Sequence, residues 1–152
     1  MKQYVFTFVV ALVIGFLLCN FFIKQYEDYN GIKVANRGYE LYFIEYGTYD
    51  TINDMEKNTI NLENYIYNEK DNKYYVYIGI TELKENASKI VEYYKKLGYE
   101  TSIKKFGITN KEYIDTIKNY DKLLKEVNDD TAFSSLISQM LTKYEEVVIH
   151  GS

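Results

Sequence analysis

The stretch Lys73–Thr81, KYYVYIGIT, has the composition of a β-strand and decides how the rest of the chain is interpreted. Alternate side chains of a strand point to opposite faces of a sheet. Val76 and Ile78 therefore share one face, whereas Tyr75 and Tyr77 lie on the other. The first face suits a hydrophobic core. The second displays aromatic rings, which either pack under another element or form a platform for a flat ligand.

The same pattern occurs earlier in the chain, so the sequence contains an internal repeat. An apolar strand ends on Gly47 in the first copy and on Gly79 in the second, and each is followed by a turn, a helix and another strand. In the second copy the helix, Glu82–Leu97, carries apolar residues at helical spacing. Those residues are Ala87, Ile90, Val91, Tyr94 and Leu97. Gly98 then supplies the left-handed residue with which helices commonly end.

The first copy has a weaker helical stripe, formed by Ile52, Met55 and Thr59. Its second strand, Asn64–Glu69, leads through the turn sequence KDNK into the opening strand of the second copy. The second copy closes on a strand in which Tyr99, Thr101 and Ile103 alternate. A strand–helix–strand unit that occurs twice predicts an α+β fold, in which a four-stranded antiparallel sheet carries both helices on one face.

The two faces of the predicted sheet differ in what they display. The face toward the helices is predicted to hold Tyr42, Ile44, Tyr46, Tyr74, Val76 and Ile78. The opposite face is predicted to hold Phe43, Glu45, Tyr75 and Tyr77, with Tyr49 at its rim. An aromatic sheet face without a cover is either a binding surface or is capped by other elements.

Residues 107–149 predict two further helices beyond the repeat. Thr109–Glu112, TNKE, matches a capping box ahead of the periodic stretch YIDTIKNYDKLLKEV. The following stretch also places apolar residues at helical intervals, namely Phe133, Leu136, Ile137, Met140, Leu141 and Tyr144. These stripes mean that both helices pack on another part of the protein. The sequence leaves open whether they cover the aromatic face.

The first 23 residues predict a transmembrane anchor. Tyr4–Ile23 contains no charged residue, and a helix of this length spans about 30 Å, enough to cross the hydrocarbon layer of a bilayer. A cleaved signal peptide is the alternative, but its shorter apolar region and small-residue cleavage site are missing. Lipidation of Cys19 is also disfavoured, because two leucines rather than a small residue precede it.

Residues 24–38 are polar and unpatterned, and they predict a short stalk between the anchor and the repeat. Lys2 and the free amino group precede the apolar segment, and Lys24 follows it. Basic residues determine membrane topology more strongly than acidic ones do. This balance favours an amino terminus inside the cell, which places residues 24–152 outside the cytoplasmic membrane.

Composition argues against several classes of function. The chain has 22 acidic and 18 basic residues, a net charge of −4, whereas nucleic-acid binding normally needs a basic surface. The local lysine cluster is interpreted as a solvated surface, and contact with an anionic wall polymer or lipid headgroups is the alternative. It comprises Lys95, Lys96, Lys104 and Lys105. The sequence offers no nucleophile–base set, metal-ligand cluster or glycine-rich phosphate loop. We therefore predict no enzyme activity, no cofactor, no metal site and no nucleic-acid partner.

The second copy, YYVYIGITELKENASKIVEYYKKLGYETSIKKF, resembles a SPOR domain, the sporulation-related repeat module of bacterial envelope proteins. The matching features are the strand that closes on Gly79, the helix start ENASKI, the helix end KKLGYE and the final strand. LYFIEYGTYDTINDMEKN resembles the first half of the module, with Glu45 where the family has glutamine and Tyr49 at its aromatic position. The resemblance covers about residues 40–106, within a predicted repeat domain of residues 39–106.

The resemblance implies a ferredoxin-like or RNP-like βαββαβ sandwich whose open sheet face binds the glycan strands of peptidoglycan. It also implies a single-pass membrane protein of the cell envelope that acts at division or sporulation sites. The candidate glycan-binding residues are Phe43, Glu45, Tyr49, Tyr75 and Tyr77. The alternative is a protein-interaction or assembly module of an envelope complex, in which the same rings pack under the last helices or against a partner protein.

Overall fold

The computed structural model describes residues 38–149. The predicted anchor, residues 1–23, and the predicted stalk up to residue 37 lie outside the described residues. Within the described part, no helix is long and apolar enough to cross a membrane.

The described residues form four strands and four helices. They are β1 (Tyr39–Tyr49), α1 (Ile52–Thr59), β2 (Ile66–Lys70), β3 (Lys73–Thr81), α2 (Lys84–Lys96), β4 (Ser102–Ile108), α3 (Lys111–Glu126) and α4 (Asp130–Tyr144), followed by a π-helical turn, Glu145–Ile149. The strands make one antiparallel sheet in the order β2-β3-β1-β4. The predicted α+β class is confirmed, and the strand order is compatible with a ferredoxin-like arrangement.

β3 contains one residue more than its partner strand at the middle of the sheet. Ile44 pairs with Gly79, and the next pair is Glu45 with Tyr77. Ile78 is therefore the additional residue of a β-bulge, a feature that changes which residues of a strand share a face. Because of this offset, Tyr77 lies beside Glu45 on the same face of the sheet.

A second bulge in β1 cancels the first. The pair that follows Glu45 is Gly47 with Val76, so Tyr46 is the additional residue on β1. Thr48 then pairs with Tyr75, and the ordinary register is restored to the ends of the two strands. The predicted division of residues between the two faces is thus achieved with two bulges that the sequence did not reveal.

The face that packs against α1 and α2 is closed. The hydroxyl of Tyr46 donates a hydrogen bond of 3.2 Å to the carbonyl oxygen of Asn58 in α1. A β-carbon on Gly79 would lie 2.9 Å from Cγ2 of Ile90 in α2 and 3.6 Å from Cδ1 of Ile44. Fully buried aliphatic residues fill this layer, among them Ile44, Val76, Ile78, Ala87 and Ile90. Glycine at position 79 lets α2 approach the sheet this closely.

Local sequence explains several element boundaries. Asp71 and Asn72 have φ angles of 54° and 57°, the left-handed conformation that a tight turn between β2 and β3 requires. Gly98, with φ of 87°, ends α2 as predicted, and its N–H donates to the carbonyl of Lys95 at 3.0 Å. The final strand begins later than predicted, at Ser102, because Tyr99 turns inward to pack against other tyrosine rings.

The carboxy-terminal helices α3 and α4 form an antiparallel hairpin. Asn110, rather than Thr109, caps α3, because its side-chain oxygen accepts a hydrogen bond of 2.9 Å from the N–H of Tyr113. Asp129 caps α4 in the same way, accepting from the N–H of Ala132 at 2.8 Å. β4 continues to Ile108, so the predicted helical extension starts after the strand and not at residue 107.

The hairpin contacts the rest of the fold at both ends. Lys89 of α2 donates hydrogen bonds to the carbonyls of Leu124 and Val127 at 3.0 and 2.6 Å, where α3 ends. At the other end, the ring of Tyr144 lies 5.4 Å from that of Phe43, on the sheet face opposite to α1 and α2. The hairpin therefore covers part of the face that the sequence analysis left open.

A buried carboxylate joins α3 to the sheet. The Asp121 side chain accepts hydrogen bonds from the Thr81 hydroxyl, from the backbone N–H of Glu82 at 2.7 Å and from the Asn86 amide at 2.7 Å. Burial raises the pKa of Asp121, although these three donors oppose the shift by stabilising the ionised form. Nothing in the local sequence pattern distinguishes Asp121 from the exposed acidic residues of the same helix.

Candidate functional site

A cleft of about 770 Å³ remains on the sheet face opposite to α1 and α2. Four of the five predicted site residues contribute to it: Phe43, Glu45, Tyr75 and Tyr77. The two bulges account for this grouping, because they place side chains from the middle of β1 and β3 on one face. Side chains of β4 and of the carboxy-terminal segment complete the walls, including Lys104, Phe106, Tyr144, Val148 and Ile149.

Packed rings form the floor of the cleft. The Phe43 ring makes edge contacts with Tyr77, Phe106 and Tyr144, at centroid distances of 5.4, 5.1 and 5.4 Å. Phe43 is 2% exposed and Tyr77 is 6% exposed, so the expectation that both rings are uncovered is not met. Burial, with a smaller contribution from the charge of Glu45, raises the pKa of Tyr77 to about 12. These two residues give the floor its shape and cannot present a ring face to a ligand.

Tyr75 is the predicted site tyrosine that a ligand can reach. Its side chain is only partly buried, and it lies opposite Thr48 on β1 and Asn68 on β2. Thr48 and Asn68 also contribute to the cleft. An aromatic ring is thus bordered by a hydroxyl and an amide, which can donate and accept hydrogen bonds.

Glu45 supplies a charged group between the aromatic floor and β4. Its side chain is 13% exposed. One carboxylate oxygen lies 3.8 Å from Nζ of Lys104 and accepts a hydrogen bond of 3.4 Å from Ser102. Both contacts are long, since strong bonds to a carboxylate are usually 2.5–2.9 Å. A carboxylate can accept about four hydrogen bonds, so Glu45 retains capacity for a ligand donor.

Tyr49 lies elsewhere. It pairs with Tyr74 after the second bulge, and its ring packs toward Gly47 on the face of α1 and α2. A β-carbon on Gly47 would lie 2.7 Å from the Tyr49 hydroxyl, which shows how closely the ring crosses the strand. Burial raises the pKa of Tyr49. Tyr49 does not contribute to the cleft, because the bulge places it on the opposite side of the sheet.

Several cleft residues were not identified from the sequence. β4 has Lys104, Phe106 and Ile108 at every second position, so these side chains share one face of the sheet. This spacing continues past Ile103, the last residue named in the predicted alternation. The pattern could have extended the site to β4. Tyr144 had no comparable indication, because its place over Phe43 depends on how α4 returns to the sheet.

No protein-family model, curated protein or solved structure matches the chain.

The arrangement can bind a ligand that is partly flat, partly polar and extended along the sheet. A firm aromatic floor, the partly exposed tyrosines Tyr67 and Tyr75, and a carboxylate are grouped within one concave surface. Among residues 38–149, no group of three or more histidine, cysteine, aspartate or glutamate side chains could hold a metal ion.

Proposed function

We propose that this chain is a membrane-anchored module of the bacterial cell envelope that binds the glycan strands of peptidoglycan. In this proposal residues 4–23 form the anchor and residues 24–152 lie outside the cytoplasmic membrane. The described sheet and its first two helices form a ferredoxin-like βαββαβ unit, which presents the cleft to the wall. The place of action is a division or sporulation site, and the module is a binding protein without catalysis.

The observation that carries the proposal is the cleft itself. Sugar rings have apolar faces formed by axial C–H groups and polar edges formed by hydroxyls, so they suit sites that combine an aromatic ring with hydrogen-bonding groups. Tyr75 supplies the accessible ring, and Thr48, Asn68 and Glu45 supply polar groups beside it. A volume of about 770 Å³ is within the range of small-ligand sites and leaves room for a short oligosaccharide.

The burial of Phe43 and Tyr77 changes the way in which the proposed site works. Their rings hold the floor in place through edge contacts, so a ligand meets a surface that is already formed. A preformed site loses less conformational entropy when it binds. Tyr75 and Glu45 are then the residues whose loss affects binding without disturbing the fold.

A co-sedimentation assay with purified sacculi tests the proposal. The full chain is kept in a detergent without a sugar headgroup, because a glycoside detergent would compete for the cleft. We expect the wild-type protein to pellet with sacculi and Tyr75→Ala to lose most of this binding. The matched control is Tyr74→Ala, which removes the adjacent tyrosine on the opposite face of the same strand.

The results separate the outcomes clearly. Retained pelleting of Tyr74→Ala together with loss in Tyr75→Ala supports the cleft as the glycan site. Equal pelleting of all three proteins means that sacculi bind another surface, and absence of pelleting in the wild type rejects glycan binding.

A second candidate function is a protein-interaction or assembly module of an envelope complex. Phe106 of β4 favours it, because this ring lies at the edge of the cleft and is 41% exposed. β4 is also an edge of the sheet, and an edge strand can accept a further strand from another chain. Self-association of the full chain, measured by analytical ultracentrifugation and lost in Phe106→Ser, would select this function if sacculi do not bind.

A further inference from the structure

We infer that the cleft selects sugars that carry a free, positively charged amine over their N-acetylated counterparts. This inference rests on the proposed glycan-binding function and adds the chemical class of glycan. It assigns Glu45 as the residue that determines specificity, through an ion pair with the amine of a glucosamine-type unit.

The Glu45 carboxylate lies in the cleft and has only long contacts with neighbouring described residues. It is largely buried at the floor of the cleft, yet its two contacts to other described residues are 3.4 and 3.8 Å long. A buried carboxylate gains most from a donor that carries charge and approaches to hydrogen-bond distance. An ammonium group is such a donor, whereas an N-acetyl group offers one neutral N–H and an acceptor oxygen that the carboxylate repels.

Aromatic side chains surround Glu45. Tyr77 is its cross-strand partner, and Tyr75 lies farther along the same face. The face of the Tyr75 ring, which a ligand can reach, attracts a cation. Rings that exclude water also strengthen the attraction between the two charges. The combination favours a cation over a neutral or anionic group.

Lys104 already places an ammonium group near this carboxylate. Its Nζ lies 3.8 Å from Glu45, and half of its side chain is exposed, so it can swing away when a ligand enters. Lys104 is therefore a resident competitor for the position that the ligand amine would take. Removal of Lys104 should therefore improve binding of an amine, whereas removal of the Glu45 carboxylate should weaken it.

The same two strands provide a matched control on the other side of the sheet. Glu40 and Lys105 form a similar cross-strand ion pair at 3.6 Å, and Lys105 lies over the ring of Tyr42 rather than over the cleft. Neither residue contributes to the cleft. Substitutions of this pair change the net charge of the protein by the same amount but leave the proposed site unchanged.

The test compares two soluble oligosaccharides of equal length, the glucosamine hexamer and the N-acetylglucosamine hexamer. Isothermal titration calorimetry measures their affinity for the full chain at mildly acidic pH, where the amines are protonated. We expect the glucosamine hexamer to bind about tenfold more tightly, as one charge-assisted hydrogen bond allows. Glu45→Gln should abolish this preference, whereas Glu40→Gln should keep it.

The lysine variants sharpen the result. Lys104→Met should strengthen binding of the glucosamine hexamer about threefold or more, because the competing ammonium group is gone. Lys105→Met should have no effect beyond that of the altered net charge.

Each outcome bears on a different claim. Equal or tighter binding of the N-acetylated hexamer by the wild-type protein overturns the inference and leaves the proposed glycan-binding function in place. A preference for glucosamine that Glu45→Gln and Glu40→Gln reduce equally also overturns it, because the effect then comes from net charge alone. If neither hexamer binds and sacculi do not sediment the protein, the proposed function itself fails.

Discussion

The two faces of the sheet have different roles, although β1 and β3 contribute residues to both. Toward α1 and α2, aliphatic side chains and Gly79 allow close approach, and the residues at the centre of this layer are buried. On the other face, aromatic rings contact each other edge to edge, and α4 covers only part of them. The first face holds the fold together, whereas the second keeps a concave surface with polar groups at its border.

The difference shows how β1 and β3 can serve a core and a cleft at once. Aliphatic residues fill space efficiently but offer no directional contact, so they suit the closed side. Phe43 and Tyr77 pack firmly and still leave a surface beside them, because ring edges meet at wide angles. Substitutions on the two faces should therefore have separable effects on stability and on binding.

Ile44→Ala should have the largest effect, because it removes a fully buried side chain from the closed face. We expect the free energy of unfolding to fall by about 3–4 kcal/mol, the usual range for a large-to-small change that leaves a cavity. Urea unfolding followed by circular dichroism measures this loss. Ile60→Ala is the control, since Ile60 is 79% exposed, and a comparable loss there would contradict the comparison of the faces.

Asp121→Ala should destabilise the protein by about 2–3 kcal/mol, because it leaves the Thr81 hydroxyl and the backbone N–H of Glu82 without the carboxylate that accepts from them. The control is Asp115→Ala at an exposed position of the same helix. Equal unfolding midpoints for the two variants would show that the α3 attachment does not depend on this carboxylate.

The pH dependence of stability gives a further check on Asp121. Its pKa is raised in the folded protein, so protonation of Asp121 favours the folded state. This contribution to stability is complete below the unfolded pKa of about 3.8 and is lost as pH rises through the folded pKa. The wild-type protein should therefore lose stability relative to Asp121→Asn across this interval. A difference that stays constant with pH, measured by urea unfolding, would contradict the shift.

Tyr144→Ala should cost about 1–2 kcal/mol, because the ring contacts Phe43 and Tyr113 edge-on at 5.4 and 5.2 Å. It should also widen the cleft by uncovering Phe43. An apolar fluorescent dye that binds exposed aromatic surface should then bind more strongly than it does to Leu123→Ala, which alters an exposed site on α3. Unchanged dye binding would mean that α4 does not limit access to the floor.

Tyr75→Ala should have the smallest effect on stability, about 0.5 kcal/mol, because the side chain lies at the border of the cleft and not in the core. Its effect on glycan binding should be large. A strong loss of stability would place Tyr75 with the floor residues and would remove the proposed separation between folding and binding.

The sequence predicted the features that depend on local pattern. The repeat, the class of fold and the turn between β2 and β3 follow from alternation and from residues such as Asp71 and Asn72 that adopt positive φ angles. The end of α2 at Gly98 follows for the same reason. These features need only the residues that form them.

Other features depend on distant contacts and left no mark in the local pattern. The bulges at Tyr46 and Ile78 are fixed by how two strands pair, which single-strand alternation cannot show. Phe43 is buried because a helix about a hundred residues later in the chain returns to it through Tyr144. Asp121 was likewise missed, since an aspartate on an amphipathic helix ordinarily faces water.

The paired bulges also bear on how mutations could reshape this protein. Each bulge shifts the pairing register between β1 and β3 by one residue, and together they confine the shifted register to the pair of Glu45 and Tyr77. Deleting Tyr46 alone would remove the β1 bulge and leave Glu45 and Thr48 on the cleft face, opposite Tyr77 and Tyr75. Losing Tyr46 and Ile78 together would remove both bulges and keep every other pair, so the centre of the sheet could become a regular ladder while the same side chains still face the cleft.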